Sequence, residues 1–226
     1  MGLRPRKRGG FCSGKKAEDI VQQTGQKIKL EYCPRVKGPS VRGTNSLVAH
    51  DIGCAIRSLV GMRASTFYDL DQTEKWKVWN AMPPKYEWDE NDEAIFNWIL
   101  MRAQERYKDW KYQCHKAYLK EGSSGMPSDF IGREDQWDFL CQHFQLDAFK
   151  RLSLANKRNR GEKTMHHHTG SSPIIYTMEE LIIQGEQLPI IKGFEKTYVR
   201  AGDEDTTKKY NDMVDEVNKR NDAFKE

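Results

Sequence analysis

The sequence predicts a mainly α protein, a multi-helix bundle with at most one short N-terminal strand or hairpin and flexible termini. Three observations predict it. Apolar residues recur at three- and four-residue spacing through most of the 226-residue chain, the pattern of a helix with one buried face. The alternation that marks a strand occurs at one place, residues 27–32. Charged residues make up 31% against 37% hydrophobic, with a mean hydropathy of -0.84, which leaves a small core beneath long solvated helices.

Taken in order, residues 1–26 are rich in Gly, Lys and Gln without periodicity and are expected as a flexible basic arm. The alternating run Lys27-Ile28-Lys29-Leu30-Glu31-Tyr32 is the predicted strand, ended by Pro34, and 38–45 is a linker. Val48, Ile52, Ala55, Ile56 and Leu59 then fall at helical spacing, predicting a helix over 46–59. A short helix with Trp76 and Trp79 is stopped by Pro83-Pro84. After Asp89 comes the longest periodic segment, with Ile95, Ile99, Ala103, Tyr107, Trp110, Cys114 and Tyr118 on one stripe as far as Gly122. Residues 122–129 are a Gly-, Ser- and Pro-bearing loop.

Trp137, Leu140, Cys141 and Phe144 predict an amphipathic helix, and a second helix runs on from Asp147. On that second helix Lys150, Arg151, Lys157 and Arg158 share an arc of about 120°, with Phe149, Leu152 and Ala155 on the opposite side. One face should be core and the other cationic. Thr177-Met178-Glu179-Glu180 reads as a capping box, with Tyr176 and Leu181 as its hydrophobic staple, opening a short helix that ends near Gly185. A helical piece over 190–199 follows. The last helix has Tyr210, Met213, Val214, Val217 and Phe224 on a stripe. The expected organisation is thus an arm (1–26), a helical domain (27–200) and a C-terminal helix (201–226) suited to self-association.

Net charge is only +4, but it is unevenly placed, and a partner feels the local patch more than the sum. Arg4, Arg6, Lys7, Arg8, Lys15 and Lys16 precede any acid, 69–93 is acidic, and 150–163 is basic again. Arg4-Pro5-Arg6-Lys7-Arg8 reads either as a nuclear import segment or as a solubilising tail. Five widely spaced cysteines, Cys12, Cys33, Cys54, Cys114 and Cys141, suggest thiols in a reducing compartment. No apolar run approaches the roughly 20 residues of a membrane span, so no membrane partner is expected.

The basic helix points to a solvated helix face or to phosphate contact. Asn156 and Asn159 lie toward its apolar side and read as ties to the following loop. Thr169, Gly170, Ser171 and Ser172 read as a turn between two helices, or as amides and hydroxyls able to hold a phosphate. Cys141, His143, His166, His167 and His168 supply zinc-ligand atoms without a zinc spacing, so no metal and no cofactor is expected. Asp89, Glu90, Asp92 and Glu93 cluster at a helix start, where acids complement the helix dipole. Tyr107, Trp110 and Tyr118 read as core rather than as base-stacking platforms.

Trp137, Phe144, Phe149, Ser153, Asn156, Lys157, Asn159, Arg160, His168, Thr169, Gly170 and Ser171 stand in an order and spacing that resembles the plant transposase family called Ptta/En/Spm, carried by CACTA-type transposons. Lys27 to Leu30, Ile52-Gly53, Trp79, Trp88, the run from Tyr107 to Tyr118, Met178 to Leu181, Pro189 and Phe194 extend the likeness over most of the chain. The chain departs from the pattern in its triple histidine and in lacking a tryptophan near Phe67-Tyr68. The resemblance implies a nuclear, transposon-derived DNA-binding or accessory domain, with duplex DNA and a separate catalytic transposase as partners. Lys150, Arg151, Lys157, Arg158, Arg160, Lys163 and His168 are then the candidate DNA contacts. Trp137, Phe144, Phe149, Asn156, Asn159, Thr169 and Gly170 are the structural signature. No carboxylate triad for two-metal strand transfer is evident, so catalysis is not expected of this chain. The alternative is a helical interaction module that forms a homo-oligomer without binding DNA.

Overall fold

The structure, a computed structural model, describes residues 14–162, 165 and 173–223. It is mainly α-helical, as the periodicity predicts. Helix α1 (Lys15–Thr24) occupies part of the segment expected as a flexible arm. Ala17, Ile20 and Val21 turn inward at i, i+3 and i+4, a stripe that the many polar neighbours conceal in the sequence. Gly25, at φ 68, closes the helix by donating its amide to the Val21 carbonyl.

The single predicted strand is two. Ile28–Lys29 (β1) pairs in parallel with Tyr86–Glu87 (β4), while Tyr32–Cys33 (β2) pairs antiparallel with Gly38–Pro39 (β3). The chain changes sheet at Leu30-Glu31, so one alternating run feeds two ladders of two residues each. Lys37 takes a left-handed φ of 51 in the hairpin turn. Residues 38–45, read as a linker, supply β3 and the first turn of the next helix.

Helix α2 (Arg42–Leu59) and the long α4 (Glu93–Glu121) form the main packing pair. Val48, Ile52 and Ile56 of α2 belong with Ile95, Ile99, Ala103 and Tyr107 of α4 to one continuous core cluster, and Ala55 is buried as well. Leu59, expected on that stripe, is exposed in the last turn of α2. Asp92 caps α4 by accepting the amides of Ala94 and Ile95 at 2.9 and 3.3 Å. Between these helices, α3 (Gln72–Asn80) starts at the Asp71 cap. Helix α5 (Glu134–Gln145) buries Trp137, Leu140, Cys141 and Phe144, all four predicted positions.

Loops are tied to the core by side chains. The Tyr107 hydroxyl lies 3.1 and 3.0 Å from the carbonyl oxygens of Gly61 and Ala64, and Lys111 Nζ donates to Ala64 at 2.6 Å. Burial pushes the Tyr107 phenol far above its usual range and Lys111 below its own. Arg133 donates to the carbonyls of Val60, Arg57 and Asp129, linking α5 to the end of α2. Cys33, Cys114 and Cys141 are thiols, and burial pushes the Cys114 thiol up to about 12. Cys54 is disulfide-bonded, against the expectation of thiols throughout, because spacing along the chain says nothing of which sulfurs meet in space.

Contacts divide the chain into two compact units between Arg151 and Leu152, a different place from the boundaries at 26 and 200 drawn from composition. The division falls inside α6 (Asp147–Gly161). In the second unit, α7 (Ile174–Ile183) and α8 (Pro189–Tyr198) form a helical hairpin, and α9 (Glu204–Ala223) packs on α8. A Cβ at Gly193 would meet Met178 Cγ at 3.0 Å, so a larger residue there would need the Met178 side chain to give by a few tenths of an ångström. Lys192 bonds Glu195 and the Tyr210 hydroxyl at 2.9 and 3.3 Å. The capping-box expectation is corrected here. Pro173, at φ -63, leads the chain into α7 at Ile174, so Thr177 is already helical and buried and does not serve as the cap.

Candidate nucleic-acid interface

Helix α6 leaves the first unit through one side chain. Phe149 sits among three rings, 4.9 Å from His115, 4.9 Å from His143 and 5.3 Å from Phe144 between centroids. His115 in turn lies 4.8 Å from Phe144. This aromatic socket joins α4, α5 and the first turn of α6. Burial lowers the proton affinity of His115, and burial with the nearby Lys111 charge lowers that of His143, which favours neutral rings against the phenyl groups. The two histidines were not marked for this role in the sequence, although both lie within a few residues of the aromatic stripe. Trp137 packs away from this socket: its ring lies 5.8 Å from Phe130 and its indole N–H donates to the Ser123 carbonyl at 2.7 Å.

Beyond Phe149 no residue of α6 is buried. The expected core face is therefore corrected: Leu152 is exposed and Ala155 only half-buried, and among the described residues of α6 it is Phe149 that packs against the core cluster. The structure brings Lys150, Arg151, Lys157, Arg158 and Arg160 together on this helix, all exposed. Lys150 lies 3.9 Å from Asp147, an exposed pair worth little in water. Arg151, Lys157 and Arg158 have no ion pair among the described residues. Asn156 and Asn159 are exposed, and most of the loop they were expected to tie lies outside the described residues. Lys163, His168, Thr169, Gly170 and the histidines beside them lie outside the described residues.

Two other polar groupings lie outside α6. Ligand atoms of His50, Asp51 and Cys54 lie within 4.8 Å of one another, an i, i+1, i+4 pattern on α2 that the sequence reading passed over. Asp51, however, accepts from Lys85 at 3.1 Å and from the Tyr86 hydroxyl at 2.9 Å, and the Cys54 sulfur is held in a disulfide. The trio is a structural polar knot. Asp89 accepts the Asn91 amide at 2.9 Å and Asp92 caps α4, so these two acids serve the backbone.

Comparison of the chain with protein-family models, with curated proteins and with solved structures finds no match. No helix of the described residues is long and apolar enough to cross a membrane.

Proposed function

We propose that this chain is a helical, non-catalytic module that binds duplex DNA through α6, as an accessory domain of a transposon-derived protein of the Ptta/En/Spm kind. The carrying observation is the charge of α6: Arg151, Lys157 and Arg158 are exposed and have no ion pair among the described residues. A cation that a protein leaves unpaired on a helix anchored at one end is free to neutralise a phosphate and release its counterion. The resemblance in the motif from Trp137 to Ser171 supports the same reading, and the basic run Arg4 to Arg8 suits a nuclear location. The Cys54 disulfide is the observation that weighs against a reducing compartment.

A gel shift of the full chain on random duplex at two salt concentrations tests the proposal. The expected result is binding that weakens steeply with salt, with a slope of log K against log salt of about -0.9 per phosphate contacted. Changing Lys150, Arg151, Lys157 and Arg158 together to Gln should weaken binding to every sequence and flatten that slope by about 3 to 4, with helical content by circular dichroism unchanged. Equal binding by the folded variant removes α6 from the site.

One observation favours the second reading, a protein interaction module. Ile182, Ile183, Leu188 and Ile190 are exposed together at the turn between α7 and α8, and such clusters mark association surfaces. Concentration-dependent sedimentation with no response to DNA is the outcome that reading requires.

A further inference from the structure

Leu154 is 67% exposed. An exposed leucine alone is ordinary; its neighbours on α6 are not. Lys150, Arg151, Lys157 and Arg158 stand at i−4, i−3, i+3 and i+4 from it, the positions whose Cβ atoms lie about 5–6 Å away on a helix surface. Leu154 is thus the centre of a cationic diamond. The flanks differ in chemistry: at about 100° per residue the two lysines fall on one side of Leu154 and the two arginines on the other.

Resting on the proposed DNA binding, we infer that α6 lies in the major groove of B-form DNA with Leu154 against the groove floor. There it contacts the 5-methyl group of thymine, while the lysine flank holds the phosphates of one strand and the arginine flank those of the other. Three physical points carry this. A helix about 10–12 Å across fits a major groove about 12 Å wide, and from Lys150 to Gly161 no residue of α6 is buried to prevent entry. Positive charge on both sides of an apolar centre matches a groove whose walls are phosphate and whose floor carries an apolar methyl at each A·T pair. Phe149, the anchor, projects from the side of the helix away from Leu154, so the anchored face and the reading face do not compete.

The same pattern argues against other polyanions. A membrane surface needs a continuous apolar face, and the other exposed leucine of α6, Leu152, projects about 160° away from Leu154. Double-stranded RNA has a deep, narrow major groove that a helix does not enter.

The test uses the full chain on a short alternating A·T duplex and on the same duplex with deoxyuridine in place of thymidine, which deletes the methyl groups and nothing else. The wild-type chain is expected to prefer the thymidine duplex by about fourfold, the value of burying one methyl group. Leu154→Ala should abolish the preference and leave the salt slope unchanged, while Leu152→Ala, on the far side, should keep both. Equal affinity of the wild type for both duplexes, or a preference that survives in Leu154→Ala, overturns the groove assignment while DNA binding stands. Failure to bind either duplex at low salt overturns both. Binding of phosphatidylserine vesicles in preference to either duplex, lost in Leu154→Ala, overturns it in favour of a lipid surface.

Discussion

At the scale of single residues, Trp137 combines two forms of anchoring. Its ring closes a run in which Trp110 stacks on Phe130 at 6.0 Å and Phe130 meets Trp137 at 5.8 Å, and its N–H is satisfied by Ser123. Replacing it by Ala leaves a large cavity and an unpaired carbonyl, so Trp137→Ala should lower the unfolding free energy by about 3 to 5 kcal/mol, measured by urea denaturation. A change within about 0.5 kcal/mol, typical of surface sites, would contradict its 2% exposure. That Trp137 is buried was legible from the spacing of Trp137, Leu140, Cys141 and Phe144. What it is buried against was not, since Phe130 and Ser123 come from a loop whose path no periodicity describes.

At the scale of elements, the junction of α4, α5 and α6 depends on neutral histidines. His115 and His143 both have proton affinities lowered below the ordinary 6.5, first by burial. The unfolded chain then binds more protons than the native one, so stability rises with pH. The histidine contribution is complete above 6.5, is lost as pH falls through that unfolded-state value, and levels off below the lowered native value. The melting temperature should therefore decline between about pH 7 and pH 5. In the double variant His115→Phe/His143→Phe, which keeps rings in the socket, the decline should largely vanish. An unchanged slope in that variant would show that the socket histidines do not titrate with folding. The element boundaries behind this junction were well indicated, because Phe144, Asp147 and Phe149 carry both period and capping signals. The apolar face of α6 was overestimated: Leu152 and Ala155 have the right spacing, but a helix face becomes core only where another surface reaches it.

At the scale of the whole molecule, the continuous core cluster runs from Ala17 to Phe144, with Phe149 packed at its border. Among the described residues of the second unit, the buried hydrophobic side chains are Tyr176, Leu181 and Ile191. Residues 14–151 should accordingly unfold in one cooperative transition when expressed alone, with a melting temperature close to that of the same transition in the full chain. Calorimetry of the fragment checks this. Broad, non-cooperative melting would mean that the first unit needs residues beyond 151 to complete its core.

The sequence by itself determined that the protein is mainly helical, where α2, α4, α8 and α9 start and stop to within about four residues, and that α6 is cationic, because these follow from local periodicity and charge; it did not show that α1 is a helix. Tertiary structure alone decided the rest. It paired Ile28–Lys29 with Tyr86–Glu87 across a long stretch of chain, buried Asp51 against Lys85 and Tyr86, and placed Phe149 between two histidines. It also left Leu154 exposed amid four cations rather than in a core. Such outcomes depend on which surfaces meet in space, and a pattern of neighbours along the chain carries no record of that.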